Sequence, residues 1–268
     1  MYKDTRPANP GAATASTPEM WASRFAGSTK MNAWRSFRFT RTKEWSLIRR
    51  HVARGSAILD AGCGFGDWVS FLTAKGYRAE GLDYSDALVA RLRHTYSELP
   101  WQVGDIRQMP YADSAFDAVI SWGVIEHDEA GPGATLREFW RVVKPGGSII
   151  VTVPVDSEVQ RRSADVLFHR EGTQTFFQYF MTEEELAGHV RESGFEVIEQ
   201  GILPSAHIQL VSPTLAGTLG GLAFRGANFL VSAFMSWIPR YCVMRYCVAR
   251  KPRHAAVSIP RPREGGAA

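Results

Sequence analysis

Between residues 57 and 154, short apolar runs alternate with stretches whose apolar positions recur every three or four residues. AILDAG (57–62), RAEGLDY (78–84), WQVGDI (101–106), FDAVISW (116–122) and SIIVTVP (148–154) have the length and near-continuous apolarity of strands covered on both faces. GDWVSFLTAKG (66–76), SDALVARLRHTY (85–96) and TLREFWRVV (135–143) carry the helical period between them. The alternation predicts an α/β fold, a parallel sheet with helices on both faces, because each parallel crossover needs a covering helix. Ser85 ahead of Asp86 marks a helix start and Gly76 a helix stop. Lys144-Pro145-Gly146-Gly147 cannot continue a helix and predicts a tight turn into the next strand.

The second half is less regular. MTEEELAGHVRESG (181–194) predicts a helix with Thr182 as N-cap, Glu185 closing a capping box and Gly194 as the stop; FEVIEQGIL (195–203) predicts a strand. An apolar segment from Ala206 to Ile238, without charge from Gly226 onward, predicts further helix, and YCVMRYCVARK (241–251) a last strand. Residues 1–18 and the tail 253–268 lack any apolar period and are expected to stay without structure, leaving 19–252 as one domain with an insertion at 205–238.

Composition bounds the class. At 268 residues with 45% apolar and 22% charged positions, the chain is expected to be a soluble globular protein with a sizeable core. Three cysteines (Cys63, Cys242, Cys247) form neither a disulfide framework nor a zinc pattern, so a cytoplasmic setting and no metal are expected. The first residues have no apolar core and no run reaches the roughly 20 apolar residues of a membrane span, so neither a leader nor a span is expected. The charge of +4 is uneven: eight Lys/Arg lie between Arg24 and Arg50 against the single acid Glu44, with a second basic group from Arg240 to Arg253. That pattern suits a solvated face, a nucleic acid, an anionic membrane surface or a phosphorylated substrate.

The chemistry concentrates at Asp60-Ala61-Gly62-Cys63-Gly64-Phe65-Gly66, where a strand ends in an acid and glycines follow at every second position before a helix. Glycines allow a sharp turn and a close ligand, and the first amides of the helix face it. A dinucleotide-binding loop would need glycine at position 67, where Asp67 would repel a pyrophosphate. A ligand without phosphates is therefore favoured, and a nicotinamide-dependent oxidoreductase, which would also call for a Tyr-x-x-x-Lys pair, is disfavoured.

With its D-x-G-x-G-x-G loop, an acid ending the second strand (Asp83), another ending the third (Asp105), FDAVISWGVIEH and VVKPGGSIIVTVP, the chain resembles the class I S-adenosylmethionine-dependent methyltransferases over about residues 55–200. The resemblance implies a Rossmann-like fold with a seven-stranded, mostly parallel sheet whose last strand is antiparallel, and a helical lid over 19–54. It implies S-adenosylmethionine as cofactor, with Gly62, Gly64 and Gly66 against its methionine part and Asp60 orienting the loop or the ammonium. Asp83 would take the ribose hydroxyls and Tyr84 the adenine face. Asp105 would take the adenine amino group with Ile106 beside the ring, and Ser121 and Trp122 would lie near the reactive methyl.

Methyl transfer from a sulfonium needs no metal, whereas a hydroxyl or amine acceptor must also lose a proton. His127 is the candidate base, with His169, Tyr179 and His207 behind it. A small-molecule acceptor is expected and a nucleic acid is not. Peripheral membrane contact through 205–238, which would point to a lipid-linked or isoprenoid acceptor, and a non-catalytic cofactor-binding module are the alternatives.

Overall fold

In a computed structural model, described at residues 1–7, 17, 18, 21, 30–158, 160, 161, 174–203 and 244–253, the elements follow in chain order. They are β1 (Tyr2–Pro7), α1 (Ala33–Phe39), α2 (Lys43–His51), β2 (Ala57–Ala61), α3 (Asp67–Ala74), β3 (Arg78–Asp83), α4 (Asp86–Thr95), β4 (Trp101–Val103) and β5 (Phe116–Trp122). Then come a 3₁₀ turn (Ile125–His127), α5 (Gly133–Val142), β6 (Val143–Pro154), β7 (Gln174–Phe180), α6 (Glu183–Glu192), β8 (Glu196–Leu203) and β9 (Met244–Arg250). Seven strands form one sheet in the order β4-β3-β2-β5-β6-β9-β8, with β9 antiparallel to both its neighbours and the pairs from β4 to β6 parallel.

Alternation along the strands divides the core in two. Ile58, Ile120, Ile150 and Val248 face one side, packed with Leu47 and Ile48 of α2, Phe71 and Leu72 of α3 and Leu88 and Leu92 of α4. Leu59, Val119, Ile149, Val151 and Ala249 face the other, against Leu136 and Phe139 of α5 and Leu186 and Val190 of α6. Each fully buried Leu, Ile or Phe contributes about 1.5–3 kcal/mol relative to exposure, so the alternation itself specifies the register. Local signals hold where expected: Ser85 accepts from the Leu88 amide, and Thr182 with Glu185 closes the capping box.

The structure departs from the sequence pattern in four places. Tyr2–Pro7, expected to be without structure, pairs antiparallel with β7. Main-chain pairing needs no apolar period, and the Tyr2 ring adds a stack on Phe180 at 5.7 Å. Lys144–Gly147 is not a separate turn but an irregularity inside β6, where the pairing moves from Phe116↔Val143 to Ala118↔Ser148. The strand at 101–106 ends at Val103. Finally, α2, expected as part of a lid, is core: Leu47 and Ile48 are fully buried, and Trp45 packs edge-on against Phe71 at 5.0 Å. The insertion 205–238 and residues 254–268 lie outside the described residues.

Candidate active site

The C-terminal ends of β2, β3, β4 and β5 open on a cleft of about 340 Å³. This is where an open parallel sheet places its ligand, because the loops diverge there and helix amides point toward the gap. At the end of β2 the chain turns sharply: the Gly62 and Cys63 amides both donate to Leu82 O, at 2.8 and 3.0 Å. Gly62 is left-handed (φ +83°), and a Cβ there would lie 2.6 Å from Val124 Cγ2. The bare main chain of Gly62 and Gly64 forms the cleft floor. Gly66 is left-handed too, but it caps α3 and faces Trp101 Cη2, 2.5 Å from a would-be Cβ, rather than the cleft.

Asp83 ends β3 on the cleft wall, where its Oδ2 accepts from the Gly64 amide and its Oδ1 from the Ser85 amide, both at 3.1 Å. Burial raises its pKa and these bonds oppose the rise. Half-exposed Tyr84 stands at the rim. Asp105 and Ile106 line the far end. The Arg107 guanidinium grips both Asp105 oxygens (2.6–3.0 Å) and holds that carboxyl below its usual range, while Arg107 Nη1 lies 3.8 Å from Asp128. Sequence reasoning missed Arg107, although its place two residues past Asp105 was the available signal.

Two expected contacts stand behind the wall. Ser121 is fully buried and donates its hydroxyl to Ala61 O at 2.8 Å, tying β5 to the glycine loop. Asp60 is buried under the same loop, its Oδ1 without a hydrogen-bond partner among the described residues, and its pKa is pushed up to about 8 by burial and by Asp83 and Asp67. Asp67 likewise keeps one oxygen unpartnered, the other meeting the Arg35 guanidinium. Trp122 does line the cleft, tilted over Trp68 at 5.3 Å, with Nε1 buried and without a hydrogen-bond partner among the described residues.

This donor set fits S-adenosylmethionine. A cradle that a Cβ would fill, two strand-end carboxylates for hydroxyl and amino donors, and orphaned buried carboxylate oxygens beneath suit a cationic nucleoside better than a phosphorylated one. Among the described residues no group of three or more His, Cys, Asp or Glu could hold a metal ion.

The other half of the cleft is built around the turn Ile125–His127. His127 is on the wall; its Nδ1 lies 2.8 Å from Phe177 O, and since a carbonyl only accepts, Nδ1 carries the proton. When the ring is neutral, its lone pair is therefore on Nε2. The rings of Trp21 and Phe177 meet it edge-on at 5.1 and 5.0 Å. Asp128, Glu129 and Thr135 complete this side, Thr135 Oγ1 being buried without a hydrogen-bond partner among the described residues. Glu126 points away from the cleft into the core, where burial pushes its pKa up to about 8. Tyr179 is not available as a base, because its hydroxyl donates to Glu129 O at 2.9 Å. His169 and His207 lie outside the described residues.

Comparison with known proteins agrees with this geometry. Residues 59–151 match a family described as a methyltransferase domain. The chain is 31% identical over 153 residues to a Mycolicibacterium smegmatis protein named "Probable S-adenosylmethionine-dependent methyltransferase", covering 55% of this chain and 54% of that one. It is 30% identical over 192 residues to the demethylmenaquinone methyltransferase of Alkalihalophilus pseudofirmus, covering 60% and 80%. The chain thus spans about half the length of the first and four fifths of the second. Among solved structures, the complex of the Haloferax volcanii Trm112 methyltransferase activator with a methyltransferase contains a chain of the same fold, with a TM-score of 0.62, 24% identity and coverage of 88% of this chain and 97% of that one.

Proposed function

Because the chain belongs to the class I S-adenosylmethionine-dependent methyltransferases, with S-adenosylmethionine as cofactor, we propose that it methylates an oxygen or nitrogen of a small-molecule acceptor by in-line displacement. The observation that carries this reading is one cleft lined both by the glycine cradle with its two strand-end acids and by a histidine in a defined tautomer. When bound, the cofactor supplies a methyl group on a sulfonium, whose departure leaves a neutral thioether. Asp83 would accept from the ribose hydroxyls and Asp105 from the adenine amino group, with Ile106 and Tyr84 beside the base. Gly62 and Gly64 allow the methionine part to lie on the main chain. His127 Nε2 takes the proton of the acceptor.

Positioning contributes most. Holding the reacting atoms in near-attack geometry is worth up to about 7–11 kcal/mol, against the roughly 10²–10⁴-fold of a positioned base. The test is transfer from methyl-labelled S-adenosylmethionine to a panel of phenols, hydroxy acids and amines, beside calorimetry with S-adenosylmethionine and NADH. Labelled product and binding of the first compound alone are expected. Binding of NADH alone would overturn the reading, and binding of S-adenosylmethionine with no transfer to any acceptor would point to a non-catalytic module.

A second reading, a quinone-type or other isoprenoid acceptor met at a membrane surface, draws support from the likeness to a demethylmenaquinone methyltransferase and from the uncharged run 226–238. Among the described residues, which do not include 226–238, no helix is long and apolar enough to cross a membrane. Co-sedimentation with anionic liposomes at low salt separates the two acceptor classes.

A further inference from the structure

The β1–β7 ribbon is irregular at one step. Asp4 faces Gln178, yet the next residue, Thr5, faces Phe176, so β7 spends one extra residue, Phe177, where β1 spends none. That is the signature of a β-bulge, which turns main-chain groups at the extra residue out of the ladder direction. Here the Phe177 carbonyl is directed to His127, accepting from Nδ1 at 2.8 Å, and the Phe177 ring lies edge-on to the imidazole.

A second point of attachment lies one register step beyond Asp4 and Gln178. Lys3 and Tyr179 are cross-strand partners, and both reach Glu129: Lys3 Nζ meets its carboxylate at 2.5 Å and Tyr179 OH donates to its carbonyl at 2.9 Å. Asp4 is buried and accepts from Gln178 Nε2 at 3.2 Å. The ribbon therefore grips the segment 127–129 at both ends, through groups brought together from the two strands.

We propose that the β1–β7 ribbon is the positioning element of the acceptor side: its bulge at Phe177 holds His127 as the Nδ1–H tautomer, and β1 holds the bulge. The proposal rests on His127 acting as the base, since only then does the tautomer matter to turnover. In the other tautomer Nε2 carries the proton and offers the acceptor no lone pair. An N-terminal strand without any apolar period thereby acquires a role in catalysis, with residues 2–7 and 174–180 standing behind the cleft residues His127 and Glu129 that they hold.

The test uses the full chain, a variant lacking residues 1–7, a variant with one Gly inserted between Asp4 and Thr5 to give Phe177 a ladder partner, and the milder Lys3→Met/Tyr179→Phe pair, which keeps the strand but removes both grips on Glu129. Three readouts are taken: cofactor Kd by calorimetry, kcat with the acceptor found by the labelling screen, and the imidazole ¹⁵N shifts of His127. In the parent the shifts should report a proton on Nδ1. In the truncated and inserted proteins they should move toward a mixture of tautomers, with kcat down about tenfold or more and Kd within twofold; the double variant should move the same way by less. Unchanged shifts in the truncated and inserted proteins would overturn the proposal, as would a loss of cofactor affinity matching the loss of kcat. Should the truncated chain fail to fold, the inserted and double variants decide. The shifts do not depend on activity, so a turnover that survived His127→Ala would sink the base assignment while the tautomer measurement still judged the ribbon.

Discussion

The two halves of the cleft are built in different ways. The side proposed for the cofactor is a run of consecutive strand ends, Gly62 and Gly64 after β2, Asp83 ending β3, Asp105 after β4 and Trp122 ending β5, each residue within three positions of the strand that places it. The side proposed for the acceptor gathers Trp21, the turn 125–127, Thr135 at the start of α5 and, behind them through the β1–β7 ribbon, the distant segments 2–7 and 174–180. The first kind of site is specified by local geometry and the second by what packs against what. Damage to one should therefore leave the other readable.

The sharpest break is Gly62→Val. Its side chain would occupy the space of Val124 in a left-handed position, combining overpacking with backbone strain of about 2–5 kcal/mol in all, and cofactor affinity should fall about a hundredfold or more by calorimetry. On the opposite side, His127→Ala should lower kcat about a hundredfold while cofactor Kd stays within about twofold. A matching collapse of Kd would move His127 to the cofactor side. Asp83→Asn keeps the shape but removes the charge that accepts hydroxyl donors, so Kd should weaken roughly tenfold.

A pH measurement sharpens the contrast further. Glu126, behind the acceptor side, and Asp60, beneath the cofactor side, have folded pKa values pushed up to about 8, above those of an unfolded carboxyl. Between the unfolded and folded values the folded chain binds more protons, so their contribution to stability is complete below about pH 4 and is lost as pH rises through about 8. The melting temperature of the cofactor-free protein should accordingly decline from pH 5 to pH 8, and Glu126→Gln should flatten that decline. The smallest effect is reserved for Ser121→Ala, which removes one strut to Ala61. A loss of about 1 kcal/mol, or roughly 2–4 °C in melting temperature, is expected with Kd unchanged, and a tenfold weaker Kd would restore Ser121 to the cofactor wall.

How much of this was legible follows the same division. That Asp83, Asp105, Gly62 and Gly64 share one cleft was readable, because a strand-end acid or a glycine after a strand has a defined place in a parallel sheet. Ser121 was misread for a related reason: the residue before Trp122 alternates to the opposite face, and alternation alone does not say which face meets the ligand and which the neighbouring loop. Arg107 escaped notice because an arginine in a loop is ordinary until its carboxylate partner is seen to line a cleft. The N-terminal strand was illegible, since its stabilisation comes from main-chain pairing with a segment far along the chain and leaves no period of its own.

From the sequence alone came the doubly covered parallel sheet, the capped helices and the glycine loop after β2, because burial period, cap chemistry and glycine spacing are local properties that survive in a one-dimensional string. Only the tertiary structure decided that α2 is core, that Ser121 and Asp60 lie beneath the loop, and that the Phe177 carbonyl, at a bulge opposite the N-terminal strand, meets Nδ1 of His127. Those depend on which distant groups meet, and the free energy of such meetings belongs to pairs and clusters of residues and not to any single stretch of chain.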